Sequence, residues 1–133
     1  MAKDIEIKLN LNEAAVRRLL KQQDGLVGRH LRKRGEIART AARAQVGKRT
    51  GLLAASIYIH QSPTAIGQDM IIGSDHPRAL MVHEGTRPHM ITPKRGEVLR
   101  FSSKGRIVYS RAVKHPGTRP NKYLTDTLPL IVL

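Results

Sequence analysis

Cysteine and tryptophan are absent from the 133 residues, and the aromatic inventory is one phenylalanine and three tyrosines. Without thiols the chain can hold neither a disulfide framework nor a thiolate metal site, which suits a reducing compartment. So few rings give no stacking platform for single-stranded nucleic acid, and core packing falls to Ile, Leu, Val and Ala. Acids are scarce too: ten Asp and Glu face 24 Lys and Arg, leaving a net charge of +14 and a pI near 11.1. Such an excess attracts polyanions, nucleic acid being the commonest. No zinc-finger or RRM pattern accompanies it, so sequence-specific readout is not expected. Long apolar runs are missing as well. Residues 1–11 carry charges where a signal peptide would be apolar, and no stretch reaches bilayer length. The expectation is a soluble protein, not secreted by that route and without a membrane partner. Its length suits one domain, 1–133, with a modest core to which neighbouring subunits add burial.

Periodicity sets out the elements. Ile5, Ile7 and Leu9 alternate with charge over Asp4 to Asn10, the pattern of a half-buried strand. Asn12 offers an N-cap for a helix reaching about Gln23, with Ala15 or Val16, Leu19 and Leu20 buried and Asp24-Gly25 as its break. A longer helix is predicted over Leu26 to Val46, its inner stripe made of Val27, Leu31, Ala38, Ala42 and Val46. The opposite side carries Arg29, Arg32, Lys33, Arg39 and Arg43. A charged helix face is most simply a solvated one. Between Arg17 and Arg49, however, only Asp24 and Glu36 offer pairing, so an anion opposite would relieve repulsion.

Ser56 to Gln61 and Asp69 to Ser74 read as antiparallel strands across a turn at Ser62-Pro63. Arg78 to Glu84 reads as a short helix stopped by Gly85. Val98 to Phe101 and Ile107 to Val113 then pair across Ser102-Ser103-Lys104-Gly105, with Leu99, Phe101, Ile107 and Tyr109 inward. A last helix is predicted over Asn121 to Leu128, followed by an apolar tail, Pro129 to Leu133, that needs somewhere to dock.

One phrase occurs twice around that hairpin: Gly85-Thr86-Arg87-Pro88 after Glu84, and Gly117-Thr118-Arg119-Pro120 before Asn121. Glycine supplies φ > 0, threonine closes a small turn, and proline holds the exit extended. Either copy alone is ordinary loop punctuation. The pair predicts two shaped turns that lie close together and present Arg87 and Arg119.

Chemistry is thin elsewhere. His76, His83, His89 and His115, with Asp75 and Glu84, form no H-E-x-x-H pattern, and His83-Glu84 are adjacent rather than a turn apart. No G-x-S-x-G, phosphate-binding glycine loop or dinucleotide fingerprint occurs, and the scattered acids do not suit divalent-metal nuclease chemistry. The reading is a protein with no catalytic, cofactor-binding or metal residues, not an enzyme.

Three elements in order resemble those of the neck, or tail-completion, proteins of long-tailed double-stranded-DNA bacteriophages of the Hong Kong lambdoid type. They are Arg49-Thr50-Gly51-Leu52-Leu53-Ala54-Ala55-Ser56-Ile57, Ala79-Leu80-Met81-Val82-His83-Glu84-Gly85-Thr86, and His115-Pro116-Gly117-Thr118-Arg119-Pro120-Asn121-Lys122-Tyr123-Leu124. The family patterns are T-G-x-L-x-x-S-I, Y-A-x-x-V-E-x-G-T and P-G-T-x-P-x-x-F-L, from which Arg78 and Tyr123 depart. The resemblance covers about three quarters of the chain. It implies an α+β subunit: a long N-terminal helix packed on a mostly antiparallel β-sheet, joined here by the β-hairpin and the short C-terminal helix. It further implies a homo-oligomeric ring, six subunits by the usual tail symmetry, which completes the tail end and joins it to the capsid. The implied partners are tail-terminator or tail-tube proteins, head-tail connector proteins and non-specific double-stranded DNA in the lumen. The implied location is the virion neck, after assembly in the host cytoplasm. Arg29, Arg32, Lys33, Arg39 and Arg43 would face DNA or acidic partner subunits. Glu84, Gly85, Thr86, Arg87, Pro88, Gly117, Thr118, Arg119 and Pro120 would form inter-subunit loops. The alternative is a small architectural protein that binds DNA independently of sequence.

Overall fold

The structure, a computed structural model, describes residues 8–131. The strand expected over Asp4 to Asn10 therefore lies mostly outside the described residues, and 8–10 carry no regular structure. Asn12 caps helix α1, Glu13–Lys21, its Oδ1 accepting the Ala15 amide at 3.1 Å. Glu13 in the first turn and Lys21 in the last complement the dipole. Contrary to expectation α1 buries no residue, and Val16 and Leu19 remain exposed. The helix rests against α2, Leu26–Gln45. A stripe becomes buried only where the core lies, and the core sits at the far end of α2.

Two glycines share the buried side of α2 with Ala38 and Ala42, namely Gly28 and Gly35. Val27 and Leu31 are only half-buried, while Val46, just past the helix, is buried. At Gly35 the missing side chain admits Met70, whose Cγ would lie 2.9 Å from an added Cβ. Close approach on this face thus rests on having no side chain as well as on having small ones.

A short helix α3, Leu52–Ala55, starts from Gly51 at φ 75°, and its end is fixed by Ser56, whose Oγ donates to Leu53 O at 2.7 Å. Strands β1, Ile57–Pro63, and β2, Gln68–Ser74, pair antiparallel from Ile57↔Ser74 to Pro63↔Gln68. Pro63 stays in the ladder, so the turn comes later than Ser62-Pro63. Thr64 N donates to Gly67 O at 2.9 Å, and Gly67 N donates to Thr64 Oγ1 at 3.0 Å. Helix α4, Ala79–Glu84, follows and ends at Gly85.

Ala42, Val46, Leu53, Ile57 and Tyr123 form the core, with Ala54, Ile72, Ala79, Val82 and Leu124 packed on it. All three sequence elements that carried the resemblance contribute to it. Leu53, Ile57, Ala79, Val82, Tyr123 and Leu124 are therefore packing positions, each fully buried large side chain contributing roughly 1.5–3 kcal/mol, whereas Leu52, Leu80 and Met81 are exposed. Tyr123 is the largest buried side chain; its hydroxyl faces Ala79 O at 3.4 Å and its ring meets His83 edge-on.

From Thr86 to Thr118 the chain leaves this body and returns. Beyond the Thr86↔Thr118 bridge, β3, His89–Ile91, pairs with β6, Val113–His115. Farther out β4, Leu99–Ser103, pairs with β5, Arg106–Ser110. These ladders form an arm. Its tip is a two-residue turn, Lys104-Gly105, with φ of 50° and 77°, shorter than the four-residue turn expected. Positive φ at both positions gives the twist that two-residue hairpins favour. The register shifts with the turn, placing Leu99 and Phe101 opposite Ser110 and Val108 on one half-buried face. Ile107 and Tyr109, expected inward, lie on the other face and are 56% and 62% exposed. A two-residue shift leaves the faces of a strand unchanged, so the set expected inward joins residues of opposite faces: Ile107 and Tyr109 stand opposite Ser102 and Arg100.

The last element is a 3₁₀ helix, Thr125–Ile131, in place of the longer helix expected over Asn121 to Leu128, and it packs on α2. Pro129 lies within it and has no amide to donate into an α-helical ladder. Leu128 and Leu130 stay exposed, so the tail docks only in part. The fold is α+β, with its long helix on antiparallel strands that fall into three separate two-stranded ladders. Among the described residues no helix is long and apolar enough to cross a membrane.

Candidate functional site

The five cations predicted as one basic face of α2 have different fates. Arg29 and Lys33 are exposed and pair with no acid among the described residues. Arg32 is exposed as well, but its Nε donates to Gln61 Oε1 at 3.3 Å. Arg39 is half-buried and ion-paired with Glu36 one turn back. Arg43 does not belong to the face. Its Nη2 donates to Ile57 O at 2.8 Å and reaches Ala55 O at 3.4 Å, tying α2 to the end of α3 and the start of β1. It meets carbonyls where α3 gives way to the strand, and its Nε is buried without a partner. The basic surface of α2 thus narrows toward the helix start.

The two Gly-Thr-Arg-Pro turns meet. Thr86 N donates to Thr118 O at 3.0 Å, and Thr118 N donates back to Thr86 O at 3.1 Å and to Thr86 Oγ1 at 3.0 Å. Gly85 and Gly117 have φ of 75° and 88°, and each lies against the opposite turn. A Cβ on Gly85 would come within 2.5 Å of Thr118 O, and one on Gly117 within 2.2 Å of Thr86 O. Only glycine fits either place, for backbone angle and for space. Gly85, Thr86, Gly117 and Thr118 therefore build an intramolecular clasp, made of backbone. Arg87, Pro88, Arg119 and Pro120 are exposed beside it. Anchoring continues on the body side, where Asn121 N donates to Val82 O at 2.9 Å.

The histidines are turn and packing groups around this clasp. His89 Nδ1 faces Arg87 O at 2.8 Å and therefore donates; His115 Nδ1 accepts the Gly117 amide at 3.0 Å. Each ring staples its own turn, and the two rings stack across β3 and β6 with centroids 5.0 Å apart. His83 and Glu84, adjacent in sequence, do touch, with Nδ1 to Oε1 at 2.8 Å. They sit where α4 ends, so helical spacing no longer separates them. This hydrogen bond, followed by the charge of Lys122, holds the Glu84 carboxyl below its ordinary range. Burial pushes the Tyr123 phenol up. Among the described residues no group of three or more His, Asp or Glu is placed to hold a metal ion.

Sequence reasoning missed one polar cluster beside the second turn. Gln45 Nε2 donates to Asp126 Oδ2 at 2.7 Å and Asn121 Oδ1 at 3.3 Å, and Asn121 Nδ2 donates to Gln45 O at 3.2 Å. These groups join the end of α2 to the C-terminal segment and line an open groove of about 580 Å³ with Arg119, Pro120 and Lys122. Nothing in spacing could have found it, because Gln45 and Asn121 lie 76 positions apart. Comparison of the chain with protein-family models, with curated proteins and with solved structures finds no match.

Proposed function

We propose that this chain is a structural subunit of the head-tail junction of a long-tailed double-stranded-DNA bacteriophage. It assembles into a ring, a hexamer in the simplest case, that completes the tail end and joins it to the capsid connector, with DNA passing through the lumen. It acts without enzymatic activity, and its partners are copies of itself, tail-terminator or tail-tube proteins and connector proteins. The order and spacing of the three resembling elements motivate this reading.

The observation that carries it is surface. The chain exposes 11233 Å², whereas a compact monomer of 14.8 kDa exposes about 7000 Å². A ring subunit meets two neighbours, and each interface of standard size removes about 800 Å² from it. The exposed apolar groups suit that use. Ile37, Ala41 and Ala44 line an open groove on α2 together with Thr40, Lys33 and Glu36. Leu80 and Met81 on α4 are 71% and 57% exposed. A closed ring needs two different complementary patches on each subunit, and these lie on different elements. Arg87 and Arg119, exposed beside the clasp, then act as contacts between subunits.

Native mass spectrometry and negative-stain imaging of the purified protein, alone and with tail-tube and connector proteins, test the proposal. Rings are expected in at least one mixture. A monomer that persists in all of them overturns it.

A further inference from the structure

Between residues 92 and 112 the chain carries Lys94, Arg95, Arg100, Lys104, Arg106 and Arg111 against a single acid, Glu97. All six cations are exposed, and none pairs with an acid among the described residues. On α2, by contrast, Arg32, Arg39 and Arg43 are already engaged within the fold. The helix and the arm thus each carry six cations against one acid, but six unengaged cations lie on the arm and three, Arg29, Lys33 and Arg34, on α2.

Its form narrows the partner. The β4–β5 pairing sets Arg100 beside Tyr109 on one face and Arg106 beside Ser103 on the other, with Lys104 at the tip. Charge on both faces and at the end interrupts the apolar groups, Ile107 and Tyr109 on one face and Leu99, Phe101 and Val108 on the other, unlike the centre of a protein interface, where lysine is depleted. The arm of a second copy, with the same six cations and one acid, would be repelled. Five paired residues per strand span about 17 Å, with strands about 4.8 Å apart. Such a ribbon fits the major groove of B-form DNA, about 12 Å wide, whereas the major groove of A-form RNA is too narrow for side chains to read. Tyr109 and Phe101 lie on opposite faces, so they cannot form one stacking platform for a single strand.

We propose that the arm binds double-stranded DNA, the β4–β5 ribbon lying in the major groove with Arg100, Lys104 and Arg106 against the phosphates. Binding is independent of sequence, since it rests on backbone charge. The proposal goes beyond the ring reading and does not require it.

The test is fluorescence anisotropy of the full-length protein with a short labelled duplex of mixed sequence, over a series of salt concentrations. The triple variant Arg100→Gln, Lys104→Gln, Arg106→Gln should lower the slope of log K against log salt by about 2 to 3, one unit per lost phosphate contact. The pair Arg29→Gln, Lys33→Gln should change it by less than half as much. All five side chains are exposed, so both variants should keep the wild-type circular dichroism and melting temperature. No duplex binding by the wild type at low salt overturns the proposal, as does an unchanged slope in the triple variant. Equal affinity for duplex RNA of the same length overturns the groove placement, and capture of polyglutamate without duplex binding assigns the arm to acidic proteins instead. Sedimentation of the triple variant separates the two readings. Rings without DNA binding support both proposals, whereas wild-type DNA binding through the arm without rings in any mixture sinks the ring alone.

Discussion

Replacing Gly117 with alanine places a Cβ 2.2 Å from Thr86 O, at a backbone φ of 88°. Two costs arise. An L side chain in the left-handed region costs about 1–2 kcal/mol. The contact is with backbone, so relief requires the two turns to part, which removes the mutual Thr86 and Thr118 hydrogen bonds at about 0.5–1.5 kcal/mol each. The sum is about 3 kcal/mol, a large share of the stability of a domain this size. Gly51→Ala isolates the first cost, because Gly51 has φ 75° with nothing within 4 Å of its added Cβ. That variant should lose about 1–2 kcal/mol. Urea titration followed by circular dichroism measures the difference: with a slope of about 2 kcal/mol per molar, Gly117→Ala should lower the midpoint by about 1.5 M. Hydrogen exchange supplies a second readout, since the Thr86 and Thr118 amides should lose protection in Gly117→Ala and keep it in Gly51→Ala. Equal losses in the two variants would refute the reasoning, for they would mean that conformational strain alone requires glycine and that the clasp contributes nothing.

Arg87→Ala and Arg119→Ala, both exposed, should leave monomer stability within about 0.5 kcal/mol by urea titration while impairing ring assembly in sedimentation; unfolding of either variant would make the arginines part of the clasp. Arg43→Met should destabilise by about 1–3 kcal/mol in the same titration, because Ile57 O loses its guanidinium donor, and Arg43→Lys should not restore it fully. Glu84 has its carboxyl held below the ordinary value of 4.5 in the folded chain, so its contribution is present above that value and is lost as pH falls below it through the depressed pKa. Glu84→Gln should therefore flatten the acid limb of the urea midpoint plotted against pH; an unchanged limb would show that the pairing with His83 and Lys122 does not favour the folded state.

Features encoded by neighbouring residues were legible in the sequence. The Asn12 cap, the extent of α2, the β1–β2 pairing and the stop at Gly85 each follow from local residue types. So did the meeting of the two repeated turns, which repetition around a hairpin suggested. Two kinds of feature escaped. Gly28 and Gly35 line the buried face of α2, yet glycine adds nothing to an apolar pattern, which Val27 and Leu31 carry instead. Lys104 sits at φ 50° in the arm's turn, a position that residue type does not flag, and Ile107 and Tyr109, expected inward beside Leu99 and Phe101, share the exposed face with Arg100 and Ser102 instead. Long-range partners were invisible for a simpler reason. Whether an arginine on a helix meets water or a carbonyl depends on what the fold brings to it, and Arg43 meets Ile57 O.

The bridge between Thr86 and Thr118, 32 positions apart, makes the exit and re-entry points of the arm one place on the body. Closing a loop of that length costs about 3 kcal/mol of chain entropy, and doubling the loop adds only about 0.6 kcal/mol. Whatever lies beyond the bridge is thus thermodynamically close to a detachable cassette. A longer ribbon, a shorter one or an unrelated hairpin could be grafted there with little effect on the core around Tyr123. Variation in what the molecule touches can accumulate in the arm while the body keeps its shape.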